Sequence, residues 1–350
     1  MSNKELNWKK LKNWLEERSF NLDLSINPKR FKKGMGNINY KVFVNGKFAV
    51  LRRPPLGPIP PGANDMKREH SVMSALSRSN KLVPNSLILC EDNQIIGKPF
   101  HIIEFKSGET IDGDTLPNKW NNPKTAKYLS KILIKLLVDI HSIDTKSIGL
   151  ENLGKPEGFL DRQLEGWYLR GCIAQNNEPT KIMKELYNFL KNDKSPNEND
   201  HVILHNDFKL DNIMVRTSKY NNQPEPSAIL DWDQATRGHP LYDLATLLSY
   251  WTEKNDNDSM KLLKQMPSMQ NGFLNRKQAL NLYSKLSGKD IQDFNWIYAL
   301  SLLKLGVVFQ QLYAQFLRGT VNDKKYKYFG VIAEASFERG LLIARKEKHI

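Results

Sequence analysis

The chain has 350 residues, of which 40% are hydrophobic and 26% charged, as in an ordinary soluble globular protein of about two domains. The formal net charge of +14 comes from scattered lysines and arginines without a recognisable nucleic-acid motif, so we expect no nucleic-acid partner. Cys90 and Cys172 lie far apart without metal-ligand spacing, which favours reduced thiols and a cytoplasmic protein. We expect a monomer or a homodimer.

The apolar stretches do not predict a membrane protein. The first residues lack the apolar run of a signal peptide. The most apolar stretch, residues 296–309, is interrupted by Ser301 and Lys304 and is too short to cross a bilayer. We therefore expect no membrane span.

The N-terminal region begins with a predicted amphipathic helix over residues 5–18, followed by a β-hairpin. Asn45-Gly46 separates two β-prone runs, residues 41–44 and 47–52, and this dipeptide favours a tight turn because both residues accept positive φ. The segment with Gly34, Gly36 and Asn37 precedes the hairpin, where a glycine loop would join two strands.

Residues 53–63 are rich in proline and glycine and are predicted to form a loop. A helix is predicted after Asn64-Asp65, with Glu69 on it, because apolar residues follow at helical spacing. Two strands are then expected, at residues 86–90 and 100–105, with an Asp-Asn turn region between them.

The remainder of the chain is predicted to be mostly helical, with one β-island. Apolar residues recur with a period near 3.6 through residues 126–140. The island consists of residues 213–215 and 228–230 around a polar turn at residues 220–226. The pattern predicts an α+β fold with a small β-rich lobe over residues 1–105 and a larger helical lobe over residues 106–350, with a ligand cleft between them.

Residues 205–212 carry the clearest chemical signal. Their sequence, HNDFKLDN, has the H-x-D-x-x-x-x-N spacing of a kinase catalytic loop. In this chemistry a carboxylate accepts the proton of the attacking hydroxyl, and an amide oxygen a few residues later holds Mg²⁺. The spacing therefore predicts Asp207 as the base and Asn212 as a metal ligand.

Asp231 is the second predicted metal ligand. It follows the β-island, 19 residues after Asn212, at the end of a strand, so the two oxygen ligands can converge on one Mg²⁺ ion. Asp233 is expected either to assist the metal and its substrate or to orient the loop.

Together these motifs resemble those of the aminoglycoside phosphotransferase-like kinases, and in particular the kinase-like domains attached to some acyl-CoA dehydrogenases. The resemblance runs from about residue 10 to residue 250. It rests on residues 34–40, 50–55, 68–69, 97–100, 137–141, 162–167, 205–212 and 238–245. It implies a bilobal kinase-like fold and the use of ATP with Mg²⁺.

The resemblance also implies roles in nucleotide binding. Arg52 stands where ordinary kinases carry the phosphate-binding lysine, with Arg53 as the competing candidate, and Glu69 would steady that cation. The glycine segment would present backbone N–H groups to phosphates, although Gly36 and Asn39 replace hydroxyl residues of relatives. The adenine is expected against the backbone of Glu104, Phe105 and Lys106.

Around the catalytic loop, Lys209 is expected to neutralise the transferred phosphoryl group. His205 and His141 are interpreted as buried structural residues, and Asp243 as the carboxylate that anchors the loop backbone. On the acceptor side, Arg162, Trp167 and Tyr168 are weaker candidates for contacts with the substrate. Packing within the helical region is the alternative for these three residues.

The acceptor itself is left open. Aminoglycosides are polycations that require acidic surfaces, whereas this chain is strongly basic. The resemblance favours the hydroxyl of an acyl group, such as a hydroxyacyl-CoA. The alternatives are an aminoglycoside, choline-like or sugar kinase, and a nucleotide-binding pseudokinase that acts as a scaffold.

Overall fold

The structure is a computed structural model that describes residues 6–31, 36–56 and 64–348. The predicted glycine-loop residue Gly34 lies outside the described residues. Gly36 and Asn37 lie inside them, directly before a strand.

The N-terminal part is built on a five-stranded antiparallel sheet. Its strands follow the spatial order β1-β2-β3-β5-β4, with β1 Lys29–Arg30, β2 Ile38–Val44, β3 Lys47–Arg53, β4 Ser86–Cys90 and β5 Phe100–Glu104. The predicted hairpin is confirmed, since Asn45 and Gly46 have φ of 50° and 75° between β2 and β3. Strand β3 extends one residue further than predicted, so Arg53 belongs to the strand and not to the loop.

Three helices accompany this sheet: α1 Trp8–Glu16, α2 Met66–Leu76 and α3 Asn93–Ile96. Asp65 caps α2, because its side chain accepts a hydrogen bond from the backbone N–H of Arg68. Helix α1 buries Leu11 and Leu15 against the sheet. The expected Asp-Asn turn region between β4 and β5 contains the short helix α3, which Asp92 caps.

The remainder of the described chain is mainly helical. Its helices are α4 Pro123–His141, α5 Phe159–Ala174, α6 Lys181–Asn192, α7 Pro240–Ser249, α8 Asp258–Lys261, α9 Arg276–Ser287, α10 Phe294–Leu317 and α11 Phe329–Ala344, with 3₁₀ turns at Asn118–Trp120, Leu210–Asn212 and Lys324–Tyr328. The expected α+β fold, with a small antiparallel sheet and a larger helical part, is confirmed. The division between residues 105 and 106 stays a prediction.

The helical part contains more strands than the sequence predicted. These are β6 Glu109–Thr110, β7 Val202–Leu204, β8 Ile213–Thr217, β9 Pro224–Ile229 and β10 Thr236–Gly238. The hairpin of β8 and β9 is the predicted island, but β9 begins at Pro224, inside the stretch expected to be a turn. Strands β7 and β10 pair with each other, and β6 pairs with β8. The prediction of a single β-island is therefore wrong.

Helix α10 is the central helix of the larger part. It packs against α5, α7 and α11, and among the described residues it is the one helix long and apolar enough to cross a membrane. However, 72% of its most apolar stretch is buried inside the protein. This is the property of a core helix.

Candidate active site

The predicted catalytic loop, residues 205–212, connects β7 to β8 and is anchored from below by Asp243 on α7. The backbone N–H groups of His205 and Asn206 donate to the two carboxylate oxygens of Asp243 at 2.6 and 2.7 Å. Burial works against the charge of Asp243, but His141 and the His205 N–H outweigh it and lower the pKa of this carboxyl. Asn206 has a φ of 65°, a conformation that costs energy for a non-glycine residue and is held by these contacts.

His205 is fully buried, and one of its ring nitrogens has a partner within the loop and the other a partner directly after β9. Its Nε2 lies 2.8 Å from the carbonyl oxygen of Leu230 and so donates to it. Its Nδ1 accepts from the backbone N–H of Asp207 at 3.4 Å. A histidine with both nitrogens engaged in this way positions the loop, in agreement with its interpretation as a structural residue.

Asp207, Asn212 and Lys209 lie together at the open side of the loop. The amide Nδ2 of Asn212 donates to the Asp207 carbonyl at 2.8 Å and to Asp207 Oδ2 at 3.1 Å. Lys209 Nζ lies 3.3 Å from Asp207 Oδ2 and 3.5 Å from Asp211 Oδ2. Burial opposes the positive charge of Lys209, but Asp207 and neighbouring groups outweigh it and raise the pKa of the ammonium, so Lys209 is charged at neutral pH.

The two predicted metal ligands emerge from the same end of the β8–β9 hairpin. Ile213 pairs with Ile229, and the backbone N–H of Leu230 donates to the Asn212 carbonyl at 2.8 Å. Asp231 follows at once with a φ of 67°. The hairpin therefore brings Asn212 and Asp231 side by side, as the sequence predicted.

The donor set of this pair fits Mg²⁺. The Nδ2 of Asn212 is bound to Asp207, so the Oδ1 of Asn212 is the atom that can bind a metal ion. Asp231 adds a half-exposed carboxylate. Within the described ranges, no three His, Cys, Asp or Glu side chains form a metal-binding cluster. Two oxygen ligands are nevertheless sufficient, since Mg²⁺ usually takes only one or two protein ligands together with phosphates and water.

Arg52 joins the N-terminal sheet to this hairpin end. Its Nε donates to Glu69 Oε2 at 2.9 Å, and its Nη2 contacts the Asp231 carboxylate. Burial opposes the charge of Glu69, but Arg52 and then His101 outweigh it and lower the pKa of this carboxyl to about 2. Arg53 points elsewhere, because its Nη1 donates to the Pro54 carbonyl at 3.1 Å. Of the two candidate arginines, Arg52 is the one that contacts Asp231, a predicted metal ligand.

Asp233 contacts the N-terminal part and lies apart from the helices expected on the acceptor side. Asn37 Nδ2 donates to its carboxylate at 3.4 Å, and Arg68 Nε donates to its carbonyl at 3.0 Å. Burial, together with the charge of Asp231, raises the pKa of Asp233. Gly36 lies close to Asn64, because a Cβ atom placed on Gly36 would be 3.6 Å from Asn64 Nδ2. The contacts of Asp233 agree with the orienting role, and its electrostatic interaction with Asp231 leaves assistance to the metal a prediction.

The three residues expected beside the adenine lie at the end of β5. Lys106 Nζ lies 2.7 Å from Glu104 Oε1. The Phe105 ring packs against Phe48 at a centroid distance of 6.1 Å. This segment leads directly into β6, so it forms the connection between the N-terminal sheet and the rest of the chain.

Of the predicted acceptor-side residues on α5, Trp167 contacts α7, the helix that carries Asp243. Its Nε1 donates to the Tyr242 hydroxyl at 3.1 Å. Arg162 instead donates to the backbone carbonyls of Lys155 and Glu157. Tyr168 stacks on Tyr187 at 3.8 Å. The contacts of Arg162 and Tyr168 agree with their structural alternative.

The sequence reasoning missed Lys304 as a site residue. It lies on α10, is only 6% exposed, and its Nζ donates to the carbonyl of Asn206 at 2.6 Å. The same ammonium lies 5.8 Å from the ring centroid of Trp167 and 5.2 Å from that of Tyr242. The sequence did contain a sign of this role, because Lys304 interrupts an otherwise apolar stretch. Burying a charged lysine is costly unless polar groups compensate its charge.

Burial of Lys304 lowers its pKa to about 8. Asp207 and Asp243 act in the opposite direction, while Lys209 and Arg170 act in the same direction as burial. Arg170 itself lies 3.9 Å above the Trp167 ring. Three cations, Lys209, Lys304 and Arg170, thus surround the region between Asp207 and Trp167.

Comparison with curated proteins confirms the resemblance drawn from the motifs. Acyl-CoA dehydrogenase family member 11 of Gallus gallus is 28% identical over 327 residues, which cover 92% of this chain and 41% of the chicken protein. Acyl-CoA dehydrogenase family member 10 of Mus musculus is 28% identical over 327 residues, 91% of this chain and 29% of the mouse protein. The chain therefore spans about two fifths or less of these relatives.

Solved structures share the fold. A Ralstonia eutropha protein that is named as an aminoglycoside phosphotransferase is 25% identical in sequence, with a TM-score of 0.77. The match covers 98% of this chain and 99% of the Ralstonia chain. Aminoglycoside phosphotransferase APH(4)-Ia, in a ternary complex with ADP and hygromycin B, is 14% identical with a TM-score of 0.58, covering 97% and 99%. Choline kinase from Cryptosporidium parvum is 15% identical with a TM-score of 0.55, covering 97% and 92%.

The model of the phosphotransferase enzyme family matches residues 29–269, more than half of the chain. This stretch contains Arg52, Glu69, the whole catalytic loop and Asp231. The chain therefore belongs to the phosphotransferase enzyme family and has its kinase-like fold.

Proposed function

We propose that this chain transfers the γ-phosphate of Mg-ATP to a hydroxyl group of a small, negatively charged acceptor. The observation that carries the proposal is the meeting of Asp207, Asn212, Asp231 and Arg52 at one end of the β8–β9 hairpin. Arg52 comes from the N-terminal sheet and contacts Asp231, so groups from both parts of the chain face the same point.

Each of these side chains has a separate role. Asp207 accepts the proton of the acceptor hydroxyl, and Lys209, 3.3 Å away, balances the negative charge that develops on the transferred phosphoryl group. Arg52 binds phosphate oxygens through its planar guanidinium, which Glu69 orients. Asn212 Oδ1 and the Asp231 carboxylate would hold Mg²⁺, which would neutralise negative charge on the phosphates.

The charge beside Asp207 favours an anionic acceptor. Lys209 lies in the loop beside Asp207, and two further cations, Lys304 and Arg170, lie beside the ring of Trp167. Such a region attracts carboxylates, phosphates or polarised carbonyl oxygens and repels ammonium groups. The names of several structural neighbours suggest aminoglycosides and choline as acceptors. Both are cations and would be repelled by the cationic side chains near Asp207.

A hydroxyacyl-CoA is the acceptor that best combines these observations. It carries a hydroxyl on an acyl chain and several negative charges on coenzyme A, which suits a chain of net charge +14. The names of the curated relatives, which concern acyl-CoA dehydrogenases, support the same acceptor class.

An ATP-consumption screen tests the proposal. Hydroxyacyl-CoAs, free hydroxy acids, kanamycin-type aminoglycosides, choline and neutral sugars are compared at equal concentration, with the Asp207→Asn variant as the background. We expect turnover that depends on Asp207 with hydroxyacyl-CoAs, and a raised KM for them in Arg170→Ala. Turnover with kanamycin-type acceptors alone would contradict the anionic acceptor. Nucleotide binding without turnover on any acceptor would instead favour the scaffold.

A further inference from the structure

A line of buried polar side chains runs from the surface of α2 to Arg52. His70 Nδ1 lies 2.7 Å from Ser86 Oγ, and this oxygen lies 2.9 Å from His101 Nδ1. On its other side, His101 Nε2 lies 3.4 Å from Glu69 Oε2. Glu69 Oε2 in turn accepts from Arg52 Nε at 2.9 Å. Nothing in the proposed phosphotransfer chemistry accounts for the two histidines and the serine.

The strand register explains why His101 reaches Glu69. On the antiparallel pair β3–β5, His101 lies directly opposite Arg52. Residues opposite one another in a sheet project their side chains from the same face. Helix α2 covers that face, so Glu69 meets both residues there. His101 and Glu69 are 0% and 1% exposed, so the contact between them is shielded from bulk solvent.

The Ser86 contact and the charge of Glu69 together favour a proton on His101 Nε2. Ser86 has one hydroxyl proton, so it can donate to only one of its two histidine neighbours and must accept from the other. If Ser86 donates to His101 Nδ1, a neutral His101 carries its proton on Nε2. If Ser86 accepts from His101 Nδ1 instead, a neutral His101 carries its only proton on Nδ1 and turns the lone pair of Nε2 toward Glu69. Since Glu69 is ionised, that lone pair would face a carboxylate oxygen at 3.4 Å and repel it, which favours the arrangement with an N–H on Nε2.

We propose that His101 is a positioning residue that, fixed by Ser86 and His70, holds the Glu69 carboxylate in the orientation that directs Arg52 to the nucleotide phosphates. The reason is geometric, because Glu69 Oε2 takes both contacts on one oxygen and is held between them. At 3.4 Å the His101 contact is mainly electrostatic. The role of Arg52 in this inference rests on the proposed function, while the N–H on Nε2 does not.

Matched substitutions at His101 separate positioning from simple packing. Gln places an amide N–H near the position of Nε2, whereas Leu fills a similar volume without a donor. We expect His101→Leu to weaken Mg-ATP binding by about tenfold in calorimetry, a change of ~1.4 kcal/mol, and His101→Gln to stay within about threefold of wild type. Thermal unfolding of each variant gives the folded fraction. If both variants lose stability equally and bind Mg-ATP like the wild type, His101 only packs and the proposal is wrong.

Two further measurements keep the inference testable if a His101 variant does not fold. Ser86→Ala removes the link to His70 with little change of volume, and we expect it to weaken Mg-ATP binding by about threefold. Nitrogen NMR of histidine-labelled wild-type protein has only seven histidines to assign. We expect a protonated Nε2 on His101, and a proton on Nδ1 alone would overturn the proposal. Absence of Mg-ATP binding by the wild type would contradict the proposed function, while this NMR result would still decide the orientation of His101.

Discussion

Asp243 accepts a hydrogen bond from the backbone N–H of His205 at 2.6 Å, 38 positions earlier in the chain. The second oxygen of the same carboxylate takes the N–H of Asn206. A buried, charged side chain thus fixes two consecutive peptide groups directly before Asp207. The position of the proposed base is therefore determined from α7 as well as from its own loop.

This relationship predicts the effect of Asp243→Asn. The amide keeps the shape but turns an N–H₂ group toward one of the two backbone N–H groups, so at least one charge-assisted hydrogen bond is lost. We expect the free energy of unfolding to fall by about 2 kcal/mol, together with a lower kcat. Urea denaturation and steady-state kinetics measure these two effects. Asp258→Asn is the control, since that carboxylate is fully exposed, and equal behaviour of the two variants would show that Asp243 anchors nothing.

A second prediction separates the two arginines of β3. Arg52→Lys keeps the charge but loses the planar fork that contacts Glu69 and Asp231 at once. We expect Mg-ATP affinity to fall by about tenfold, and Arg53→Lys to change it by less than about threefold. Calorimetry at equal folded fractions gives both values. A larger loss of affinity in Arg53→Lys would show that Arg53, and not Arg52, contacts the phosphates.

A third prediction concerns the buried charge of Lys304. Its pKa is lowered by burial to about 8, whereas an unfolded lysine titrates near 10.4. Between these values an unfolded Lys304 binds more protons than the folded one, so the contribution of this residue to the stability of the wild type rises with pH by up to about 3 kcal/mol. Lys304→Met has no such group, and we expect it to be more stable than the wild type near pH 7 but to turn over more slowly.

Chemical denaturation of both proteins at pH 7 and pH 10 measures this difference. The stability advantage of Lys304→Met should shrink at the higher pH. Lys181→Met is the matched control, because that side chain is 91% exposed and should show no such change. An advantage that is independent of pH, or a variant that is less stable at both pH values, would contradict the buried-cation interpretation.

Local chemistry made much of this molecule predictable from its sequence. The Asn45-Gly46 turn requires two positive φ angles, and Asn-Gly is one of the few dipeptides that supply them, so the β2–β3 hairpin followed directly. Asn212 and Asp231 were expected to converge because the strands after and before them form a hairpin. These features depend on residues that are near in sequence or joined by one turn.

Features that depend on distant pairing were not predictable in this way. Strands β7 and β10 have three residues each, too few to produce a periodic pattern, and they form only because they pair with one another. Lys304 acts through a residue 98 positions away. His101 lies between apolar residues in β5, and its partners Ser86 and Glu69 come from two other elements. In these cases tertiary packing created the contact, and the sequence contained only an isolated polar residue.

The most direct test of the account is the effect of Asp207→Asn on Mg-ATP turnover and Mg-ATP binding, measured on the same preparation. Slow ATP hydrolysis, or transfer to an acceptor found in the screen, gives the rate, and calorimetry gives the affinity. Asp211→Asn, in the same loop and beside the same Lys209, is the control. We expect Asp207→Asn to lower kcat by a factor of about 10²–10⁴ while affinity changes by less than about threefold, and Asp211→Asn to lower kcat much less. An Asp207→Asn variant that turns over as fast as the wild type would contradict the assignment of Asp207 as the base.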